Sequence, residues 1–342
     1  MSIRFYKDED CAKWQHYVER SSASSHYHQL GWKRVIEKSF GHKTHYLLCE
    51  EEDQIKGIFP LVHLNSLLFG SFLVSMPYFN YGGICANSIE VHHQLLQEAV
   101  RIARRENVHH IEVRDSRVLD YGWRMKKTKV AMRLELRANA DELWHALPSK
   151  LRSQVRRSSR EGIFCRIGRI EELGSFYKIF CARMRELGTP VYPRYFFENI
   201  LNEFQETTWI CSVYMGTRPV AAGFMVGHGD TMEIPWAASM TAYNQLAPNM
   251  LLYWTALKFA CEKRYSIFDF GRSSPGEGTY KFKEQWGAKA HPLFWYYWMK
   301  DDGELPQLNP KNPKYRMAIE IWKRLPLSLT RLIGPAIVKN LP

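Results

Sequence analysis

Long apolar segments are missing from this sequence. No stretch approaches the ~18 consecutive uncharged apolar residues that a membrane-spanning helix requires. The first residues, MSIRFYKDEDCAKW, carry charges throughout and lack the apolar core of a secretory signal. The sequence therefore predicts neither a transmembrane helix nor a secretory signal.

The cysteines and histidines do not occur at the sequence spacings that are typical of metal sites. The seven cysteines stand singly, with no C-x-x-C pair, and no H-E-x-x-H motif occurs. The pairs His92-His93 and His109-His110 are sequence neighbours, so neither pair shares one face of a helix or strand. We therefore predict no metal site and no disulfide framework, and we expect buried, reduced thiols in a cytoplasmic protein.

Two common catalytic motifs are missing as well. There is no G-x-S-x-G nucleophile elbow. The loop 273–279 contains Gly276 and Gly278, but the lysine and Ser/Thr of a P-loop do not follow them. The sequence thus excludes a serine hydrolase of that type and a P-loop nucleotidase.

Basic residues exceed acidic ones, with a formal net charge of +12. Such an excess favours an anionic partner, namely RNA, a nucleotide-linked or lipid-linked sugar, or an anionic membrane face. A generally basic surface that serves solubility is the alternative. We expect no DNA partner.

The chain of 342 residues, 45% of them hydrophobic, is long for one core and predicts two domains. An internal echo supports this division. Residues 44–87 and residues 207–240 both read as strand, polar turn, strand, turn and strand. We interpret the echo as two copies of one unit; two ordinary α/β modules are the alternative.

Each echo is followed by a helix and then by a short strand. The helices are predicted at 88–106 and at 247–264, where Pro248 suits the first helical turn. The strands are predicted at 109–115 and 265–272. Helical sequence precedes each echo, at 10–40 and at 141–204, with Asp141 as a predicted N-cap and Gly162 as a helix stop.

The segment LPSKLRSQVRRSSREG at 147–162 carries the densest positive charge. A helix would place Arg152, Arg156 and Arg160 on one stripe, with Lys150 and Arg157 beside it. Arginine forks bind phosphates and carboxylates, so this stripe predicts an anion-binding face. A solvated helix face is the alternative.

The segment FDFGRSSPGEGTYKFKEQWGA at 268–288 is the strongest candidate for chemistry. A strand ends at Asp269, Arg272 follows, and a Ser/Pro/Gly loop leads into a segment that we predict to be extended. Lys281 and Lys283 would then share one face, with Phe282 between them, and could aim an ammonium at developing negative charge. Asp269 is either a proton acceptor or the cap of the turn.

Aromatic and amide side chains cluster in SMPYFNYGGI at 75–84, where Pro77 and two glycines interrupt the strand pattern. Tyr78, Asn80 and Tyr81 are suited to binding a sugar or another ring. A hydrophobic loop between strands is the alternative.

Taken in order, these segments resemble FemAB-related proteins of the exosortase/PEP-CTERM exopolysaccharide type, and more widely the FemA/FemB aminoacyltransferases of the GNAT superfamily. The resemblance covers most of the chain and is most specific over 147–162 and 268–288. It implies an α/β (α+β) fold of two tandem GNAT-like domains, each a mixed or antiparallel sheet flanked by helices. We expect domains at 1–139 and 140–304, with residues 305–342 returning to the first.

The resemblance also implies roles for particular residues. The F-K-x-x-[FW]-G pattern of the family falls on Phe282, Lys283, Trp286 and Gly287, where the lysine would steady the acyl-transfer centre. The basic helix of the family falls on Lys150, Arg152, Arg156 and Arg157, which would meet phosphate together with Arg272. The glycine-containing pyrophosphate loop of acyl-CoA enzymes has no counterpart in YNQLAPNM, which favours an aminoacyl-tRNA donor over acyl-CoA.

The function expected from all of this is transfer of an acyl or aminoacyl group to an amine or hydroxyl of a cell-envelope or exopolysaccharide precursor. No tightly bound cofactor is expected, since the donor is a co-substrate. The alternatives are an acyl-CoA-dependent N-acetyltransferase, a non-catalytic RNA-binding protein on a transferase scaffold, and a protein held at the inner membrane face by its basic tail at 313–342.

Overall fold

The computed structural model describes residues 1–66, 69–301, 303–306 and 313–341. It divides the chain into two compact units. Unit 1 contains the described residues of Met1–Lys129, Pro292–Gln307 and Lys339–Pro342, and unit 2 those of Val130–His291 and Leu308–Val338. No helix among the described residues has both the length and the apolarity that crossing a membrane requires.

The first part of the chain is mainly β-structure with three longer helices. Its elements are β1 (Ser2–Phe5), α1 (Cys11–Arg20), α2 (Gly31–Phe40), β2 (Lys43–Glu51), β3 (Gln54–Ser66), β4 (Gly70–Val74), β5 (Cys85–Ala86), α3 (Ile89–Arg105), β6 (His110–Asp115) and β7 (Arg124–Glu135).

The rest of the chain repeats this order with additions: two helices precede the repeated order, one short helix precedes its last strand, and two helices follow it. Its elements are α4 (Ala140–Ala146), α5 (Ser149–Arg160), β8 (Ile163–Gly168), α6 (Leu173–Leu187), α7 (Arg194–Glu203), β9 (Thr208–Met215), β10 (Arg218–His228), β11 (Thr231–Ser239), α8 (Pro248–Glu262), β12 (Ile267–Ser273), α9 (Gly278–Glu284), β13 (Lys289–Met299), α10 (Pro313–Arg324) and α11 (Leu327–Val338).

Both units have the same strand order. In unit 1 the sheet runs β1-β2-β3-β4-β6-β13, and in unit 2 it runs β8-β9-β10-β11-β12-β7. In each case only the fourth and fifth strands pair in parallel, β4 with β6 and β11 with β12. The other neighbours within each sheet are antiparallel. The echo in the sequence therefore does correspond to two copies of one fold.

The last strand of each sheet comes from outside its own repeat. Phe294–Met299 of β13 pair with β6 in unit 1, and Val130–Glu135 of β7 pair with β12 in unit 2. This is why the units change at residues 129/130 and 291/292, whereas the sequence led us to expect changes at 139/140 and 304/305. Which strand another strand joins depends on hydrogen bonds between distant residues, and local sequence patterns do not encode them.

The C-terminal helices differ from expectation in a similar way. Helices α10 and α11 belong to unit 2, where both contact α6. The α-carbon of Gly188, just after α6, lies so close to Ile319 that a Cβ there would overlap that side chain. Residues 339–341 belong to unit 1, and residues 307–312 and 342 of the segment 305–342 lie outside the described part of the chain.

Helix α3 shows why these segments adopt their structure. Ser88 caps it by accepting a hydrogen bond from the Val91 amide, and a buried stripe of Val91, Leu95 and Ile102 packs on the sheet. Helix α8 begins at Pro248, as predicted. Asp141, however, lies inside α4, because the N-cap is Asn139, whose side chain accepts from the Glu142 amide.

Candidate active site

The parallel ladder in unit 2 opens at one end. Strands β11 and β12 pair from Thr231 with Ile267 to Glu233 with Asp269, and within the described chain the ladder between them stops there. Beyond that point β11 continues beside β10, and β12 continues beside β7. The facing edges of the two diverging strands therefore present backbone groups that do not pair with each other. An extended ligand can bind such edges as an added strand does.

Asp269 lies at the point of divergence and is fully buried. Its Oδ2 accepts a hydrogen bond from Arg133 Nε at 2.9 Å, and its Oδ1 accepts one from the Gly271 amide at 2.8 Å. The carboxylate therefore caps the turn at Gly271 and forms an ion pair with β7. Of the two roles considered for Asp269, this geometry favours the structural one.

Lys283 is buried beside the end of β12. Its ammonium donates to the carbonyl oxygens of Gly271 at 3.0 Å and Arg272 at 2.9 Å. Burial lowers the pKa of Lys283 to about 8, and the carboxylates of Asp269 and Glu233 limit that decrease. At neutral pH the side chain therefore remains mostly protonated, and its charge lies in a site from which water is largely excluded.

The segment around Lys283 is helical, so the prediction of an extended segment is wrong. The Lys281 amide bonds to the Glu277 carbonyl and the Gln285 amide to the Lys281 carbonyl, both at 3.1 Å, as in an α-helix. Lys281 is exposed and Lys283 buried, so the two lysines do not share a face. The four-residue spacing of Phe282 and Trp286 is typical of a helix. The alternation of Lys281, Phe282 and Lys283 led us to predict an extended segment instead.

Aromatic rings pack around helix α9. Phe282 is half-buried and lies 5.1 Å from the ring of Tyr253 on α8, which is itself stacked on Phe270 at 5.4 Å. Trp286 is buried, and its indole Nε1 has no hydrogen-bond partner in the described part of the chain. Phe282 therefore helps to hold the helix that carries Lys283.

Sequence reasoning missed two polar groups at this site. Ser273, the last residue of β12, is buried and its Oγ has no partner among the described residues. Glu233, opposite Asp269 in the ladder, is 3% exposed. The sequence did not distinguish them, because a serine in a Ser/Pro/Gly loop is typical of a turn and a single glutamate in a strand is typical of an exposed position. Arg272, by contrast, is exposed at the end of the strand.

The basic segment forms helix α5, as predicted. Arg156 and Arg160 are exposed, and the guanidinium of Arg156 lies 5.5 Å from the ring centre of Trp144. Arg152 is half-buried, and its Nε has no hydrogen-bond partner in the described structure. An arginine with an unpaired buried N–H next to exposed arginines is suited to accepting an anion. Lys150 is exposed at the start of the helix.

Helix α5 lies beside the beginning of α8. The Ser158 hydroxyl donates to the Ala247 carbonyl at 2.9 Å, and Arg157 Nη2 lies 3.4 Å from the Gln245 carbonyl oxygen. Ala247 adopts a left-handed backbone (φ 49°, ψ 47°), which glycine more commonly supplies before a phosphate-binding helix. The positive end of α8 and the arginines of α5 therefore occupy neighbouring positions in unit 2.

The aromatic segment lies in unit 1 and is largely occupied by internal contacts. The Tyr78 hydroxyl is 2.8 Å from both His42 Nε2 and the Lys339 carbonyl oxygen. The Asn80 carbonyl accepts from Trp295 Nε1 at 3.2 Å, and buried Tyr81 packs edge-on against Tyr27 at 5.3 Å. These contacts favour the alternative interpretation, a packed loop between strands.

A buried charged group next to this segment was also missed. Arg114 is 2% exposed; it donates to Glu112 and to the Phe79 carbonyl, both at 2.6 Å, and lies over the ring of Trp295. The charged residues within the short apolar strand HIEVRD were the sequence feature that could have revealed this buried group.

Comparisons with known proteins agree with this architecture. Residues 148–284 match the family model of the acetyltransferase (GNAT) domain. A search of curated protein sequences gives no match.

Three solved structures illustrate the similarity. FemX is 14% identical, with a TM-score of 0.68 over 86% of this chain and 97% of that chain. The C-terminal domain of a putative lysylphosphatidylglycerol synthetase from Agrobacterium fabrum is 12% identical, with a TM-score of 0.58 over 86% and 92%. A tandem GNAT protein from the clavulanic acid biosynthesis pathway is 9% identical, with a TM-score of 0.58 over 89% and 100%. This chain therefore has a tandem GNAT-like fold, and its residues 148–284 are similar to the acetyltransferase (GNAT) domain.

Proposed function

We propose that this protein transfers an acyl or aminoacyl group to an amine or hydroxyl of a cell-envelope or exopolysaccharide precursor. The observation that carries the proposal is the buried ammonium of Lys283 at the open end of the β11/β12 ladder. This site lies within the segment that matches the GNAT acetyltransferase family. The similarity to FemX and to a putative lysylphosphatidylglycerol synthetase, named for a lysyl-lipid product, supports the aminoacyl form.

The proposed reaction needs no enzyme nucleophile. The donor's ester or thioester carbonyl lies between the diverging strands, and a neutral amine or hydroxyl attacks it directly. The tetrahedral intermediate then collapses by breaking the ester or thioester bond, and the released tRNA hydroxyl or CoA thiol carries away the proton that the attacking group loses. Lys283 has three N–H donors, of which two bond to the Gly271 and Arg272 carbonyls. The third is left to stabilise the oxyanion of the tetrahedral intermediate, where a preorganised donor in a dry site is most effective.

The donor in this proposal is anionic. Arg152 and Arg156 on α5 would bind its phosphates, next to the positive end of α8. The absence of a glycine before α8, where Ala247 stands instead, favours aminoacyl-tRNA over acyl-CoA. Acyl-CoA remains the second donor to test.

The test offers both donors in parallel. The purified chain is incubated with aminoacyl-tRNA or acyl-CoA and a set of amine and hydroxyl acceptors, including lipid-linked and nucleotide-linked sugars, and mass spectrometry detects the products. An acylated acceptor that disappears in Lys283→Ala supports the proposal. Turnover that survives unchanged in Lys283→Ala contradicts the role of this lysine, and the absence of any product with all donors contradicts the reaction.

A second candidate, a non-catalytic RNA-binding protein, is favoured by one observation. Arg156, Arg157 and Arg160 lie exposed together on one short helix. Binding of tRNA with a steep salt dependence and no turnover of any donor would identify this function.

The C-terminal helices suggest that the protein contacts a membrane that holds the acceptor. On α10 and α11, Met317, Ile321 and Leu332 are 72%, 54% and 76% exposed, and Lys323 and Arg324 lie close to them in sequence. Basic helices with exposed apolar side chains bind anionic bilayers. Flotation with vesicles of anionic and of neutral lipids tests this contact, and equal recovery of the protein with both would contradict it.

A further inference from the structure

Three side chains that can bind a metal meet in unit 1, far from one another in sequence. His45 lies on β2, His63 on β3, and Glu106 is the C-cap residue of α3. In the antiparallel register Lys43 is opposite His63 and His45 is opposite Leu61, so both imidazoles lie on the same face. Helix α3 packs against β2 and β3 and brings its C-terminal end to these histidines.

The distances suit a cluster of ligands. One nitrogen from each histidine and one carboxylate oxygen of Glu106 lie within 4.8 Å of one another, and His63 Nδ1 is 3.9 Å from Glu106 Oε2. Ligands around a tetrahedral zinc ion lie about 3.3 Å apart, as follows from bonds of about 2.0–2.1 Å. Side-chain movements that shorten these separations by up to about 1.5 Å would therefore bring the three groups into coordination.

The polar atoms of His45 give independent evidence. This residue is 3% exposed, and its Nε2 is buried without a hydrogen-bond partner in the described part of the chain. An unpaired buried nitrogen costs free energy, and a bound ion or water is one way to offset that cost. A bound cation would satisfy this atom.

The surroundings of the other two side chains leave one ligand atom of each available. His63 Nε2 lies 2.8 Å from the Ser71 hydroxyl, which fixes the ring, as outer contacts do in known metal sites, and leaves Nδ1 directed at Glu106. Lys43 Nζ donates to Glu106 Oε1 at 2.8 Å, so Oε2 remains for another partner, while the charge of Lys43 competes with a cation for this carboxylate.

We propose that His45, His63 and Glu106 form a binding site for one divalent transition-metal ion of the zinc class, with water in the remaining coordination positions. Two imidazoles and one carboxylate are a donor set that zinc accepts, whereas magnesium and calcium prefer oxygen ligands alone. The ion would join β2 and β3 to the end of α3 and so stabilise unit 1. The proposal departs from the sequence prediction of no metal site, because the ligands become neighbours only through strand pairing.

Two cations face the cluster. Lys43 Nζ lies 2.8 Å and Arg105 Nη2 lies 4.0 Å from Glu106 Oε1. Both therefore contact the carboxylate oxygen that does not face His63.

The experiment titrates zinc into the full chain, metal-free and without a histidine tag, by calorimetry and by competition with a chromophoric chelator. We expect one ion per chain, and a weakening of more than about tenfold in His63→Gln and in Glu106→Gln, since losing even an outer contact costs about that much. His16→Gln is the matched control, because His16 is an exposed histidine of the same unit. Its affinity for zinc should equal that of the parent chain.

Cobalt distinguishes this site from the cysteines. Cys165 and Cys211 have sulfur atoms 3.1 Å apart and are the alternative metal ligands. Cobalt at the proposed site should give ligand-field bands without a sulfur charge-transfer band in the near-ultraviolet. A sulfur band, or zinc affinity that is unchanged in both Glu106→Gln and His63→Gln, overturns the proposal, as does the absence of zinc binding at micromolar concentrations.

Lys43→Met adds a test in which zinc affinity is expected to rise and not to fall. This substitution removes the cation that competes for Glu106, so zinc affinity should rise. If the cluster is only a packed group of side chains, the same substitution removes a surface ion pair and zinc has no effect on the thermal midpoint of the variant. That outcome contradicts the proposal even if the glutamine variants fold poorly.

Discussion

The ammonium of Lys283 lies 2.9 Å from the carbonyl oxygen of Arg272, eleven residues earlier in the chain. This contact joins helix α9 to the end of β12. It fixes a positive charge at the place where β11 and β12 cease to pair.

Lys283→Ala should lower turnover by about 10²–10³-fold, the usual loss when one oxyanion donor is removed. Donor binding should change only a few-fold, as kcat and KM measured separately will show. Lys281→Ala is the matched control, because Lys281 is exposed on the same helix. Equal losses in both variants would mean that the helix, and not the buried ammonium, matters.

Lys283 should also make stability depend on pH. Its folded pKa, about 8, is below its ordinary value of 10.5, so the unfolded chain binds more protons between these values. The free energy of unfolding should therefore rise by up to about 3 kcal/mol as the pH increases from about 8 to 10.5, and it should rise less in Lys283→Met. Urea unfolding of both proteins across this range measures the difference. Parallel curves for the two proteins would contradict the shift.

Asp269→Asn should lower the free energy of unfolding by about 1–3 kcal/mol, since it removes a buried charge that bonds to Arg133. The pH profile of kcat should keep its shape, because this carboxylate caps a turn and accepts no proton from substrate. Arg133→Gln combined with Asp269→Asn should cost less than the sum of the two single variants. Loss of one limb of the pH profile in Asp269→Asn would instead identify the side chain as a proton acceptor.

Replacing Arg152 and Arg156 together with alanine should weaken binding of tRNA or another polyanion and reduce the slope of log affinity against log salt by about 2. The thermal midpoint should barely change, because Arg156 is exposed and Arg152 only half-buried. The double variant Lys258→Ala/Lys263→Ala removes the same charge from the other end of α8 and is the control. A large loss of stability with unchanged affinity would show that the arginines are structural.

Gly227→Ala should destabilise unit 2 by about 1–3 kcal/mol, because the added methyl group would overlap the phenol oxygen of Tyr265 and force a rearrangement. Gly174→Ala is the matched control: nothing lies within 4 Å of its Cβ position, and it lies in the first turn of α6. That variant should gain about 0.5–1 kcal/mol. Thermal unfolding of the two variants should therefore shift in opposite directions.

The repeated architecture was predictable because its signals are local. Alternating apolar residues at 207–240, the proline at 248 and the periodic apolar residues of α3 each specify an element within a few residues. The basic stripe of α5 was predictable for the same reason, since a spacing of four residues places Arg152 and Arg156 on one side of a helix. These patterns do not depend on what another part of the chain does.

The candidate site was only partly predictable. Lys283 was identified through a resemblance and an incorrect extended segment, yet its burial and its two carbonyl partners follow from how α9 packs on β12. Asp269 remained open between two roles until its distance to Arg133 was known. Ser273 carries no sequence signal that distinguishes it from an ordinary loop serine.

The sequence by itself determined the two repeats, the order of their strands and helices, and the basic face of α5, because hydrophobic periodicity and turn residues act over short distances. Only the tertiary structure decided that β7 and β13 each complete a sheet outside their own repeat, that α10 and α11 pack on α6, and that His45, His63 and Glu106 meet. Each of these depends on hydrogen bonds and packing between residues far apart in the chain. The free energy of such contacts depends on both partners, so it cannot be predicted from a short stretch of sequence.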